Sequence, residues 1–230
     1  VLIGNNILSK YEKKAYSDFS TINDLIEMRY IDVDKDGSTF SSSSASLNIK
    51  HPNAQIKKAV LYWTAIYHYS KGKRKVKNNE QYYYHKLEDR QGDFTQVELK
   101  IPSAKNYTSI QGNVIFDGFE NEGYEESAPY ACYADVTNIL KQSKDINGEY
   151  TVANIRATQG FVSGGGTAGW FLYIVYESDA ETAKYITSYN GFASLSNNNV
   201  DIEFNDFVTK SDGEVKASVM VAALEGDGKL

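Results

Sequence analysis

The chain has 230 residues, with 24 Lys and Arg against 30 Asp and Glu, for a formal net charge of −6 at pH 7. That balance lacks the cationic excess that neutralises a nucleic-acid backbone, so nucleic acid is not an expected partner. A single cysteine, Cys132, excludes an internal disulfide framework and a cysteine-based zinc site, and no apolar run approaches the roughly 18 residues of a membrane span.

The aromatic share is 13%, and 18 tyrosines supply most of it. Tyrosine suits pleated surfaces and contact faces, being apolar along its body and polar at its tip. The chain opens on Val1 rather than Met, which points to a processed or trimmed N-terminus. Within the first 28 residues, Ser20 or Thr21 could cap a short helix over residues 22–28.

Next comes Tyr30-Ile-Asp-Val-Asp-Lys-Asp-Gly37, followed by the serine run Ser41 to Ser44. Asp32, Asp34 and Asp36 stand on alternate residues and Gly37 closes the turn, a pattern that can gather hard oxygens around Ca²⁺. The twelfth position counted from Asp32 is Ser43 where an EF-hand needs a bidentate Glu, so the EF-hand is rejected. A structural calcium loop that draws ligands from elsewhere is the expectation. The acidic stretches 117–122 and 225–227 could contribute ligands or a second site, but read first as ordinary charged turns.

Residues 45–50 alternate strictly, with Ala45, Leu47 and Ile49 on one face, and the strand ends at Pro52. Residues 59–66 are apolar on both faces and predict a covered central strand. The basic run 71–77 reads as a solvated loop. Tyr82, Tyr83 and Tyr84 follow it among polar neighbours and are the expected ligand-contact patch, while Tyr62 and Trp63 are expected in the core. Further strands are predicted at 96–101, 112–117, 150–155 and 201–205.

Cys132 reads as a small buried hydrophobe, and residues 135–141 as a short helix capped by Asp135. The glycine-rich run 164–169 lacks the Lys-Ser/Thr close of a phosphate loop and leads into a strand at 169–176, so it is a loop or bulge. Residues 217–228 predict a strong strand entering an acidic turn. Many short strands with almost no helix, and no linker, predict one all-β domain over residues 1–230. Its expected architecture is an antiparallel, jelly-roll-like β-sandwich with at most one or two short helices.

Catalytic signatures fail. His51, His68 and His85 have no zinc-enzyme spacing, and Gly-x-Ser-x-Gly is absent. A non-catalytic protein is expected. A glycan-active enzyme with two carboxylates stays open as a lesser alternative, because their separation is a tertiary property.

The order of motifs carries a resemblance: Leu-Ile-Gly-Asn-Asn-Ile-Leu at 2–8, the Asp-Val-Asp-Lys-Asp-Gly loop with its serines, and Ala-Val-Leu-Tyr-Trp at 59–63. Tyr-Ala-Asp-Val-Thr at 133–137, Ala-Gly-Trp-Phe-Leu-Tyr-Ile-Val-Tyr-Glu at 168–177 and Ala-Leu-Glu-Gly-Asp-Gly at 223–228 follow. The series resembles the N-terminal domain of Bacteroidetes cell-surface proteins, including gliding-motility-associated adhesins exported by the type IX secretion system. The resemblance implies an extracellular, surface-tethered module that binds a glycan or protein ligand and forms the N-terminal part of a longer protein. It would meet the secretion machinery through a C-terminal region not in this chain. The alternative is a structural spacer or a protein-docking module.

Overall fold

Alternating and doubly apolar segments dominate this chain, and the backbone answers them with strands. The computed structural model describes residues 1–14, 25–51, 53–77, 81–193, 199–205, 208–209, 211–220 and 222. In chain order the elements begin with β1 (Leu2–Asn6), β2 (Leu8–Ser9), β3 (Arg29–Tyr30), β4 (Ser42–Leu47) and β5 (Gln55–Ile66). They continue with β6 (Tyr69–Lys77), β7 (Gln81–Asp89), β8 (Gln96–Lys100), β9 (Thr108–Gln111) and β10 (Asn113–Asp117). The last are β11 (Pro129–Asp135), α1 (Thr137–Lys141), β12 (Gly148–Ala153), β13 (Gln159–Gly160) and β14 (Ala168–Glu177).

Two antiparallel sheets make the sandwich. One has the order β1-β14-β5-β11-β10 and the other β4-β12-β8-β9. Take β1, β4, β5, β8, β9, β11, β12 and β14 as the first to eighth strands. The sheets then run first-eighth-third-sixth, with β10 added at the edge, and second-seventh-fourth-fifth. That is the interleaved double Greek key of a jelly roll. A smaller sheet, β13-β6-β7, and the β2-β3 pair lie beside it.

The core sits between the two sheets. Leu61 and Trp63 of β5, Trp170 and Leu172 of β14, and Tyr130 and Cys132 of β11 face Val97, Leu99, Tyr150 and Val152 of the opposite sheet, all in one buried cluster. Alternate residues on β5 and β14 point outward and are only half buried, as the two-residue period of a strand requires. On that outer face Tyr133, Tyr62 and Phe171 form a row across three strands, with Tyr62 stacked on Phe171 at 4.8 Å.

Several expectations move. The strand expected over 45–50 is shifted towards the N-terminus: β4 runs Ser42–Leu47, and Ser41, Ser42 and Ser43 are buried. Burial there is tolerable for Ser42 and Ser43 because their hydroxyls are used. Ser43 Oγ accepts the Trp170 indole N–H at 2.9 Å, tying the two sheets together, and Ser42 Oγ donates to Asp32 Oδ1 at 3.0 Å.

The basic run 71–77 is strand β6, paired to β7 along its length, rather than a loop. Asp135 does serve α1, but from one residue before the cap position: its Oδ1 accepts the Thr137 amide at 2.9 Å. Residues 201–205 carry the alternation of a strand yet form none. The described part of the predicted 217–228 strand is also unpaired, and the rest lies outside the described residues. The predicted helix at 22–28 falls partly on undescribed residues, and at its described end Met28 instead makes a bridge to Gly160. Among the described residues no helix is long and apolar enough to cross a membrane.

Candidate functional site

The aspartate loop is built against the start of β4. Asp32 makes a bridge to Ser42, and the Ser42 hydroxyl also accepts the amides of Val33 at 2.9 Å and Asp34 at 3.2 Å. Asp34 Oδ1 accepts the Asp36 amide at 2.9 Å, and its other oxygen accepts the Tyr107 hydroxyl. Burial works against charge on Asp34. The hydrogen bonds from Tyr107 and the Asp36 amide nevertheless hold its carboxyl below the usual range. Burial, reinforced by Asp34, pushes the Tyr107 phenol up. Asp36 is lowered as well, by the amide and hydroxyl of Ser38, which its Oδ1 accepts at 2.9 and 2.8 Å.

Asp32 and Asp34 are thus both tied to the Ser42 hydroxyl, Asp32 through its carboxylate and Asp34 through its amide, while Asp36 is turned to Ser38 at the surface. Among the described residues no three His, Cys, Asp or Glu side chains converge at ion-binding distance. The left-handed turn residue is Lys35, at φ 57°, rather than Gly37. A Cβ on Gly37 would meet nothing within 4 Å, so the glycine is not required for the turn in the way the sequence pattern implies. Beside the loop lies an open cleft of about 510 Å³ lined by Lys13, Lys14 and Lys100 together with Asp34, Glu149 and Thr151. Lys100 helps keep Asp36 charged.

The expected tyrosine patch lies on β7, and strand geometry divides it. Successive side chains leave a strand on opposite faces, so three consecutive tyrosines cannot form one surface. Tyr83 pairs across the ribbon with Lys75, and His85 with Lys73. Tyr83 and His85 touch edge to face at 4.6 Å. Tyr84 pairs with Arg74 on the other face, where the Arg74 guanidinium lies 4.8 Å from the Phe161 ring. Tyr82 pairs in register with Val76.

Tyr83 is 38% exposed, and Lys71, Lys73 and Lys75 are exposed on alternate residues of β6. None of these three lysines makes an ion pair with a described residue. Beyond Gly72, where the contact with β13 ends, the described residues of β6 and β7 pair only with each other. The result is a two-stranded ribbon with a lysine-tyrosine face. The expectation that 71–77 is a loop missed that face. The signal was present in the sequence as lysines at a strict period of two.

A second polar feature is structural. Arg90, just after β7, bonds Asp117 Oδ1 at 2.9 Å and lies against the rings of Phe94 at 4.4 Å, Phe119 at 4.8 Å and Tyr67 at 5.1 Å. Burial pushes the Cys132 thiol up to about 12, which suits an inert core residue rather than a nucleophile.

No protein-family model, curated protein or solved structure matches this chain.

Proposed function

We propose that the chain is a non-catalytic extracellular binding module, carried at the cell surface as the N-terminal part of a longer secreted protein. In this reading the jelly roll is the rigid scaffold and the β6–β7 ribbon is the contact element for a glycan or matrix ligand. The observation that carries it is the ribbon's face of exposed lysines, which make no ion pair with a described residue, beside exposed Tyr83 on an otherwise acidic protein. Binding residues concentrate on projecting segments held by a rigid framework. The resemblance to type IX-secreted adhesins supports the surface location and an encounter with that secretion machinery.

The test is adhesion of the purified chain to glycan arrays and matrix proteins, alongside Tyr83→Ala. Selective binding that Tyr83→Ala weakens supports the proposal. Silence on every surface sinks it in favour of a passive spacer.

The same proposal includes Ca²⁺ at the aspartate loop. Asp32 and Asp34 would hold it, and Asp36 would join by releasing Ser38. Thermal unfolding in Ca²⁺ and in a chelator checks this: the midpoint rises with Ca²⁺ if the ion is structural, and identical midpoints remove it.

One observation favours a second reading, a protein-docking module. Tyr185, Ile186, Ile202, Val208, Val219 and Met220 are all exposed in the stretch after β14, more apolar surface than an isolated domain usually leaves in water. Sedimentation and pull-down from outer-membrane extract would detect self-association or a protein partner.

A further inference from the structure

The β6 strand carries Lys71, Lys73, Arg74, Lys75 and Lys77 in nine residues and no acid, although the whole chain is at −6. On the exposed face the lysines alternate, with Glu88, His85 and Tyr83 opposite Lys71, Lys73 and Lys75. Only Lys71 faces an acid across the ribbon, so the charges of Lys73 and Lys75 are left for a partner to answer. We propose that this face binds a linear acidic polysaccharide, its carboxylates or sulfates lying along Lys71, Lys73 and Lys75 and a sugar ring resting on Tyr83. The inference rests on the binding-module reading and names its ligand.

The row fits an extended polymer. Alternate residues of a strand are about 7 Å apart, so three lysines in line present their charges over about 14 Å, to a linear polyanion lying along the strand. Arginine forks, which nucleic-acid readers use, are missing from this face, because Arg74 is on the other side against Phe161. Tyr83 supplies an exposed aromatic ring beside the charges, against whose flat side the apolar face of a pyranose can rest. Contacts of this type are individually weak and salt-sensitive, so a repeating polymer gains from engaging several copies of the module.

The experiment is affinity electrophoresis of the full chain through gels containing polygalacturonate, dextran sulfate, neutral dextran or single-stranded DNA. The variants are Lys73→Gln/Lys75→Gln, Tyr83→Ala, and a charge-matched Lys105→Gln/Lys144→Gln at exposed positions elsewhere. The expected result is retardation by the acidic polysaccharides but not by dextran, abolished in about 0.5 M NaCl. Lys73→Gln/Lys75→Gln should weaken it by about tenfold and the charge-matched control should leave it unchanged. Tyr83→Ala, which keeps every charge, should weaken it severalfold, and far-ultraviolet circular dichroism confirms that each variant is folded.

Retention unaltered by either ribbon variant would overturn both this inference and the ribbon as the contact element. Adhesion to a neutral glycan or matrix protein that the ribbon variants lose, with no response to the acidic polymers, would overturn only the ligand class. Single-stranded DNA bound as tightly as polygalacturonate would replace the polysaccharide with nucleic acid.

Discussion

Arg90 shows how single residues hold this fold. Its side chain is only 10% exposed, and the guanidinium is enclosed by Asp117 and three aromatic rings. Losing it strands a partly buried carboxylate and removes ring contacts together. Arg90→Ala should therefore cost about 3 kcal/mol in urea denaturation, and Arg90→Lys should recover less than half, since an ammonium cannot lie flat against the rings. Asp135 makes a milder, pH-dependent contribution. The hydrogen bond from Lys58 Nζ at 2.6 Å, with those from the Thr137 hydroxyl and amide, lowers its carboxyl to about 2. A folded-state value below the unfolded one gives stability that is complete above about pH 4 and fades as the pH falls towards 2. Asp135→Asn should thus lower the thermal midpoint at neutral pH, with the difference from wild type closing across that window. The effect should be small and reduced by salt, because about half of each partner side chain is exposed.

At the scale of elements, the ribbon is attached by a backbone contact that only glycine permits. β6 meets β13 through a short parallel pair in which Gly72 faces Gly160. Gly160 has φ 84°, and a Cβ on it would stand 2.1 Å from the Gly72 carbonyl oxygen. Gly160→Ala should loosen the ribbon at a cost of roughly 1–3 kcal/mol. Hydrogen exchange should show β6 and β7 losing protection while β5 and β14 keep theirs. Uniform acceleration across all strands would show instead that the ribbon is integral to the core. How legible the elements were follows from their chemistry. β5 and β14 were evident because both faces are apolar, and β8 because it alternates. Hydrophobic periodicity is blind to β6, whose period-two residues are lysines, and to the first half of β4, whose buried residues are serines. Those serines are recognisable only with their partners: Ser43 is polar and buried because Trp170, 127 positions away, donates to it. The aspartate triplet was legible as a turn. The direction of each carboxylate was not, because Tyr107 and Ser38 compete for them.

At the scale of the molecule, the class was readable and the strand order was not. Local patterning gives strands. Which strand lies beside which depends on pairings such as β1 with β14, where Leu2 meets Tyr173, and no local signal encodes them. The alternation at 201–205 misleads for the same reason, since a strand pattern forms a strand only when a sheet edge is there to accept it. All eight strands of the jelly roll lie between Leu2 and Glu177. Among its described residues the stretch beyond contributes the stacking of Phe192 on Phe116, at 3.9 Å, a contact of Glu181 with His51 at 3.0 Å, and exposed apolar side chains. A fragment ending at Glu177 should therefore fold, with both tryptophans still between the sheets and a thermal midpoint only a few degrees below that of the full chain. Removing the exposed apolar residues should also reduce any self-association seen by sedimentation. Tryptophan fluorescence provides the measurement, because Trp63 and Trp170 are both fully buried in the core. A fragment that emits like the unfolded chain would show that the final segment covers the outer face of the β1–β10 sheet as an essential layer.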